Sequence, residues 1–361
     1  MLQQQFADII QLIKQSRVNA IKAVNTELIN LYWNIGAYIN GQLSTSKWGE
    51  KTVDELAQFI QVNHPELKGF NRRGLYRMKQ FYETYFSATI MSPVLIRVPE
   101  NKDNAIVSAM RTQLGNNDIR DSLLVKLSWT HHRTIFSRCQ TEEEREYYIR
   151  LCIKENYSVK ELERQINSSV FERTMIGNSK LSPMVRETHP DISDSFKDSY
   201  VFEFLNLPEP YNENDLQKSL IGQIKKVILE LGKDFLFIGE EYKVQVGNSD
   251  FFIDLLFYHR GLQCLAAFEL KTDTFKPEYL GKLNFYLEAL DRDVKKPNEN
   301  PSIGVLLCKD KDSEVLEYAL SRALSPTMVA EYKTQLPDKR LLQQKLHELF
   351  ENNGEEGLNS I

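Results

Sequence analysis

Apolar residues in the first part of the chain recur every three to four positions. "FADIIQLIKQSRVNAIKAVNTELINLYWNIGAYI" keeps that spacing over some thirty residues and predicts a long amphipathic helix. "GEKTVDELAQFIQVN" predicts a second helix that Pro65 stops. "GFNRRGLYRMKQFYETY" predicts a third, with Asn71 as N-cap ahead of Leu75, Met78, Phe81 and Tyr82. Residues 87–118 mix Pro93, Pro99 and Gly115 and read as a long loop or insertion. Helical spacing returns over about 119–173, where Thr141 and Glu144 have the spacing of a capping box.

Periodicity lapses in "GNSKLSPMVRETHPDISDSFKDSY" and then changes character. "ENDLQKSLIGQIKKVILELG" predicts one helix with Leu216, Leu220, Ile224, Val227 and Leu231 on a single stripe. "FLFIGEEYKVQV", "DFFIDLLFYH" and "LQCLAAFEL" predict three strands, with turns at Gly247-Asn248 and Gly261. A helix over about 277–291, a buried strand "SIGVLLC" and a C-terminal helix follow. The order α-β-β-β-α-β predicts an α+β multidomain chain, with an all-α, helix-turn-helix-like N-terminal domain and a C-terminal α/β domain. The expected boundaries are 1–175 for the helical domain, 176–205 for a linker or bridging arm, 206–350 for the α/β domain and 351–361 for a tail.

Charge adds an asymmetry that the pattern does not show. Residues 1–180 carry 24 Lys+Arg against 19 Asp+Glu, a net of +5, and residues 181–361 carry 21 against 31, a net of −10. A phosphate-binding surface is therefore expected to be local and on the N-terminal half. No stretch approaches the roughly 18–20 apolar residues of a membrane span. Cys139, Cys152, Cys264 and Cys308 are widely spaced without a CxxC pair, which points to a reduced, cytoplasmic protein without a cysteine zinc site. Phosphate-binding GxxxxGK[ST], GxSxG and dinucleotide fingerprints are absent, which removes an ATP-driven motor from consideration.

Candidate chemistry starts from a short pattern. Glu-x-Lys occurs five times, beginning at Glu66, Glu100, Glu241, Glu269 and Glu331. Glu66 adjoins Pro65, Glu100 lies in the 87–118 stretch, Glu331 is in a polar segment, and Glu241 has no acid preceding it on a hairpin partner. Only Glu269 ends a run, "CLAAFELK", of the kind a buried strand makes. Alternation puts Glu269 and Lys271 on one side, and a turn near Gly261 can lay Asp254 beside Glu269. Burial of Asp254 among Ile253, Leu255 and Leu256 demands a partner, either a lysine in a structural ion pair or a bound cation. Two carboxylates on one face suit a hard cation such as Mg²⁺, and a nearby lysine can orient water at a phosphate.

The block "FFIDLLFYHRGLQCLAAFELKTDTFKPEYLGKLNFYL", with "VILELGKDFLFIGEEYKVQVG" before it, closely resembles the nuclease domain of YhcG-type bacterial proteins in the PD-(D/E)XK superfamily. The resemblance extends to "WGEKTVDELA", "FNRRGLYRMKQFYETY" and "LSWTHHRTIF", and so spans most of the chain. It implies the αβββαβ restriction-endonuclease-like fold and Mg²⁺-dependent hydrolysis of DNA, with Mn²⁺ able to substitute. It also implies service in DNA repair, recombination, restriction or mobile-element defence. The superfamily's metal-binding Asp and Glu fall on Asp254 and Glu269, and its catalytic lysine on Lys271. Superfamily members often carry a further acid on the first core helix. Here the corresponding residue is Gln217, with Glu213 and Asp215 expected to face differently. That departure supports the alternative of a degenerate nuclease-fold module that binds DNA or a protein without cutting.

Auxiliary candidates follow from position. Lys282 and Tyr286 share a helix face one turn beyond the active-site strand, and Gln245 closes the first strand. Arg72, Arg73, Arg77 and Lys79 surround a helix start, a favourable place for phosphate. His131 and His132 are adjacent and suit packing better than shared ligation. Aromatics of "QFYETYF" offer an exposed surface for a homodimer or higher homo-oligomer.

Overall fold

The computed structural model describes residues 2–86, 119–177, 181–188, 196–323 and 325–356. The expected loop or insertion at 87–118 lies outside them. The chain divides into two compact units, Met1–Arg164 and Gln165–Ile361.

The first unit is helical among its described residues: α1 (Leu2–Ser44), α2 (Glu50–Asn63), α3 (Arg72–Tyr85), α4 (Trp129–Arg138) and α5 (Glu142–Glu155), with α6 (Val159–Asn167) at its end. Asn71 caps α3 as the sequence predicts, its Oδ1 accepting from Gly74 N–H at 2.9 Å. Thr141 caps α5 through Glu144 N–H, but the Glu144 carboxylate reaches the N–H of Gln140 rather than the N-cap's own. α1 and α3 cross closely because Gly36 has no side chain; a Cβ there would lie 2.2 Å from the Met78 carbonyl oxygen. The core they share holds Trp33 against Phe81 and Tyr82, and Phe81 against His132. The "QFYETYF" aromatics are therefore mostly core: Phe81, Tyr82 and Tyr85 are buried, and Phe86 is exposed. Their i, i+4 spacing puts Phe81 and Tyr85 on the face that meets α1 and α4.

The second unit is a six-stranded sheet with helices on both faces. Its elements are α7 (Val170–Ile176), α8 (Pro183–Thr188), β1 (Ser199–Val201), α9 (Glu213–Gly222), α10 (Ile224–Leu231), β2 (Phe235–Val246), β3 (Ser249–His259), β4 (Cys264–Leu270), α11 (Tyr279–Ala289), β5 (Ile303–Cys308), α12 (Ser313–Leu320), β6 (Thr327–Lys333) and α13 (Lys339–Glu356). Strand order is β1-β6-β5-β4-β3-β2. β2, β3 and β4 form an antiparallel meander, while β4, β5, β6 and β1 run parallel. β4 and β5 are buried along their whole length, as continuous apolar runs at the centre of a two-faced sheet should be.

One face of the sheet packs under α9 and α10, where Leu216, Leu220, Val227 and Leu231 meet Phe257 and Phe268. The other packs under α11 and α12, where Leu283, Leu287 and Leu316 meet Ile253, Leu256, Ala267 and Leu306. Each such side chain contributes roughly 1.5–3 kcal/mol relative to exposure. Gly304 lets α11 sit directly on β5; a Cβ there would be 2.7 Å from Leu283 Cγ.

Four details differ from the pattern reading. The helix expected over 213–231 is two helices, because Gln223 leaves helical geometry (φ −120°, ψ 24°) after Gly222. Glu331 belongs to a strand, β6, rather than to a polar segment, and Val329 and Ala330 beside it are buried. Part of the stretch 176–205 is built into the sheet, since β1 pairs with β6. α13 continues to Glu356, into the region expected as a tail.

Candidate active site

The site lies where β3 and β4 run side by side beneath α11. Leu255 pairs with Phe268, so the next antiparallel step sets Asp254 opposite Glu269. Alternation aims both carboxylates at the α11 face, alongside Leu256 and Ala267, while Leu255, Phe268 and Leu270 point into the core under α9. Asp254 accepts the Leu270 N–H through Oδ2 at 2.8 Å, which ties the two strands together at the site itself.

Glu269 has no exposed surface. Its Oε1 accepts from Lys282 Nζ at 2.6 Å and pairs with Lys271 Nζ at 3.1 Å. Its Oε2 is buried with no hydrogen-bond partner. A buried carboxylate oxygen left unmade costs about 1–3 kcal/mol or more, so such an atom marks a place for a ligand. Burial, and then the neighbouring Glu269 charge, push Asp254 up to about 6; the Leu270 N–H, Lys282 and Lys271 oppose that rise. For both lysines, burial pulls the pKa down but the carboxylates outweigh it. Lys282 is held above the usual lysine value by Glu269 and Asp254, and Lys271 by Glu269 and Glu213.

Lys271 leaves the end of β4 and touches both sides of the sheet. Besides Glu269 it binds Glu213 at 3.1 Å to each carboxylate oxygen and the Leu270 carbonyl at 3.0 Å. Glu213 therefore does face the site, against expectation. It lies one helical turn before Gln217, and i, i+4 spacing on α9 is the signal that points to it. Gln217 donates to the backbone oxygen of Asp254 at 3.0 Å, so it braces the strand and leaves the carboxylate alone. Tyr286 likewise holds β3, its hydroxyl donating to Phe252 O at 2.6 Å, and Lys282 lies over its ring. Burial raises the Tyr286 pKa.

Gln245 is not brought to this cluster. The hairpin register pairs it with Asp250, four residues from Asp254, and its amide donates to Gly247 O at 3.3 Å. At about 3.3 Å per residue that is some 13 Å along the strand. Lys276 and Tyr279 each meet Asp273 at 2.7 Å, and the Tyr279 ring lies under Lys271 Nζ, 5.3 Å from its centroid.

The donor set fits a divalent cation. Asp254 and Glu269 offer hard oxygens on one face, with an orphaned Glu269 oxygen among them. Among the described residues no group of three or more His, Cys, Asp or Glu gathers as for a fully protein-ligated ion. A cation held here by two carboxylates would keep positions for water and substrate oxygen, the usual arrangement for Mg²⁺.

In the first unit the four basic candidates separate into two kinds. Arg72 pairs with Asp54 at 2.6 Å and lies over the Tyr76 ring, and Lys79 pairs with Glu83 at 2.7 Å. Arg77 is pulled below the usual arginine value by burial and by the charges of Arg133 and Arg73. Arg133, which is on α4, has a buried Nε without a hydrogen-bond partner. Arg73, Arg77 and Arg133 thus share one positive neighbourhood. His132 is buried with Nε2 2.7 Å from Leu124 O, and His131 meets Ser128 and Tyr157 O, so both pack rather than ligate.

A mixed sheet flanked by helices, with paired carboxylates and a lysine at the β3–β4 junction, defines a domain of the PD-(D/E)XK nuclease class. The sequence profile of the YhcG PDDEXK nuclease domain matches residues 193–347, and that of the DUF1016 N-terminal domain matches residues 8–173. The putative nuclease YhcG of Escherichia coli (strain K12) is 30% identical over 354 residues, covering 94% of this chain and 92% of that protein. The chain belongs to the YhcG family. Two solved structures align weakly. A repair endonuclease from Pyrococcus abyssi shares 16% identity over 36% of this chain and 50% of its own, with a TM-score of 0.24. An EndoMS–double-stranded DNA complex shares 16% over 33% of this chain and 46% of its own, with a TM-score of 0.22. These two matches therefore span about half the length of those chains. No described helix is long and apolar enough to cross a membrane, and all four cysteines are buried with none in a disulfide.

Proposed function

We propose that this protein is a Mg²⁺-dependent DNA endonuclease that hydrolyses phosphodiester bonds, with Mn²⁺ able to substitute. The observation that carries the reading is Glu269: fully buried, opposite Asp254, with one oxygen between two lysines and the other without a hydrogen-bond partner. Asp254 and Glu269 would hold the cation, which when bound supplies Lewis-acid polarisation of water and phosphate. Lys271 orients the attacking water and stabilises charge building on the phosphate. Glu213 holds the lysine in place from α9, and Lys282 meets a phosphate oxygen from α11. Gln217 and Tyr286 fix the β3 backbone and so the aim of Asp254. Arg73, Arg77 and Arg133 are the phosphate-facing group of the helical unit.

A cleavage assay on duplex, single-stranded and branched DNA tests the proposal. Turnover with Mg²⁺ or Mn²⁺ is expected to fall at least about 100-fold in Asp254→Ala and in Lys271→Ala, by analogy with loss of a single charge-stabilising group. An Asp254→Ala protein that cuts like the parent would end it. Gln217 favours a second reading, a module that binds DNA or a protein partner without cutting, since the helix supplies an amide where superfamily members often place an acid. Tight metal-independent DNA binding without turnover on any DNA form would select that reading.

A further inference from the structure

The first helix carries more apolar surface than its own unit buries. Ile29, Trp33 and Ala37 are buried on one side of α1. At 100° per residue, Ile10, Ile13, Ile21, Val24, Leu28 and Leu31 fall within an arc of about 80° centred roughly 160° away from them. All six are exposed, Ile21 and Val24 at 69% each. From Ile21 to Leu31 the spacing is 3, 4, 3, the step of a coiled-coil seam. Arg17 interrupts the stripe between Ile13 and Ile21, and Ile9, Leu12 and Val18 are exposed outside it, but a row of six exposed apolar side chains on one arc marks an interaction surface.

We propose that this stripe pairs with the same stripe of a second copy, as an antiparallel two-helix seam. Charge decides the direction. Parallel pairing in register would set Arg17 and Lys14 against the same residues of the partner, a repulsion inside an apolar seam. Antiparallel pairing centred between Lys22 and Ala23 opposes Ile21 with the partner's Val24, and Val24 with the partner's Ile21. Leu31 then lies beside the partner's Ile13. Arg17 falls beside the partner's Leu28 and the partner's Glu27. Glu27 accepts from Arg120 at 2.8 and 2.9 Å, and its side chain stays 62% exposed.

The area is adequate. The overlap in this register runs from about residue 7 to residue 38, or about 46 Å of helix. A contact strip about 10 Å wide on each copy, with its flanks, buries on the order of 1,000 Å² in total, the lower bound for a specific interface. The Ile29–Trp33–Ala37 side stays on its own unit, so the pairing asks for no rearrangement of that core.

Light scattering on the full chain tests the proposal, independently of any nuclease activity. Twice the chain mass of 42.0 kDa is expected at tens of micromolar. The Ile21→Glu/Val24→Glu double variant is expected to return to 42.0 kDa with unchanged helicity. The charge-matched Gln15→Glu/Asn19→Glu variant, on the other side of α1, is expected to stay dimeric. A monomeric parent, or a double variant that still dimerises, overturns the seam. Single-cysteine proteins decide the direction, because the native cysteines are buried. Ile21→Cys mixed with Val24→Cys should cross-link on mild oxidation, while neither should link to itself. Val24→Cys linking only to itself would overturn the antiparallel arrangement.

Discussion

At the scale of single residues, Asp254 is a carboxyl whose charged form the fold disfavours. Its carboxyl is raised from 3.8 to about 6 by burial and by Glu269. A folded pKa above the unfolded value means that the group favours folding below about pH 4 and loses that contribution as pH rises through 6. Without a cation this amounts to at most about 3 kcal/mol, at 1.36 kcal/mol per pKa unit. Asp254→Asn, which keeps an oxygen for the Leu270 N–H, is expected to raise the Tm of metal-free protein at pH 8 and to change it little at pH 4. Mg²⁺ should stabilise the parent more at pH 8 than at pH 5 and leave the variant unmoved. Melting curves in chelator and in Mg²⁺ across that range check it; parallel pH profiles for parent and variant would remove the assignment of the shift to Asp254.

The same scale shows what single-sequence reasoning reaches. The juxtaposition of Asp254 and Glu269 is legible because strand alternation leaves few choices for a carboxylate inside an apolar run. Glu213 is not, because its partner Lys271 sits past the end of β4, where the two-residue period no longer assigns a face. Gln245 escapes for a related reason. Its distance from the site depends on the hairpin register, and composition alone does not set that.

At the scale of elements, the decisive fit is α11 against β5. Lys282 and Tyr286 reach Glu269 and Phe252 only while α11 keeps its close approach, and Gly304 is what permits it. Gly304→Val is expected to cost about 1–3 kcal/mol of stability from overpacking against Leu283, as measured by denaturant unfolding. Unfolding at the parent's midpoint would refute this account of the fit. Long periodic elements such as α1 and the β2–β3–β4 meander can be read from spacing. The break at Gly222–Gln223 and strand β6 cannot, since neither interrupts or creates a clear apolar period over enough residues. Of the "QFYETYF" aromatics, Phe81, Tyr82 and Tyr85 continue the apolar stripe that Leu75 and Met78 begin on α3, and only Phe86, at the helix end, is exposed.

At the scale of the whole molecule, the two halves of the sequence carry different charge. Net charge of +5 over residues 1–180 agrees with an arginine group at Arg73, Arg77 and Arg133. Arg77→Gln/Arg133→Gln is expected to weaken DNA binding across sequences and to lower the slope of log K against log salt by about 2, one unit for each phosphate no longer neutralised. The thermal shift from Mg²⁺ should stay as in the parent. An unchanged salt slope would exclude these residues from the DNA surface.

The order of the strands also has a temporal side. Every group around Glu269 comes from a continuous stretch between Glu213 and Tyr286, whereas β1 pairs with β6 across 132 residues, Ser199 with Glu331. Closing a long loop is slow beside joining neighbours. The carboxylate cluster should thus be assembled early in folding, and β1 should dock last. Pulse-labelled hydrogen exchange during refolding is expected to protect the β3 and β4 amides before that of Phe202, which donates to Lys333 O at the end of β6. Simultaneous protection would mean instead that the sheet closes in one step, and that its carboxylate cluster is never formed ahead of its edge.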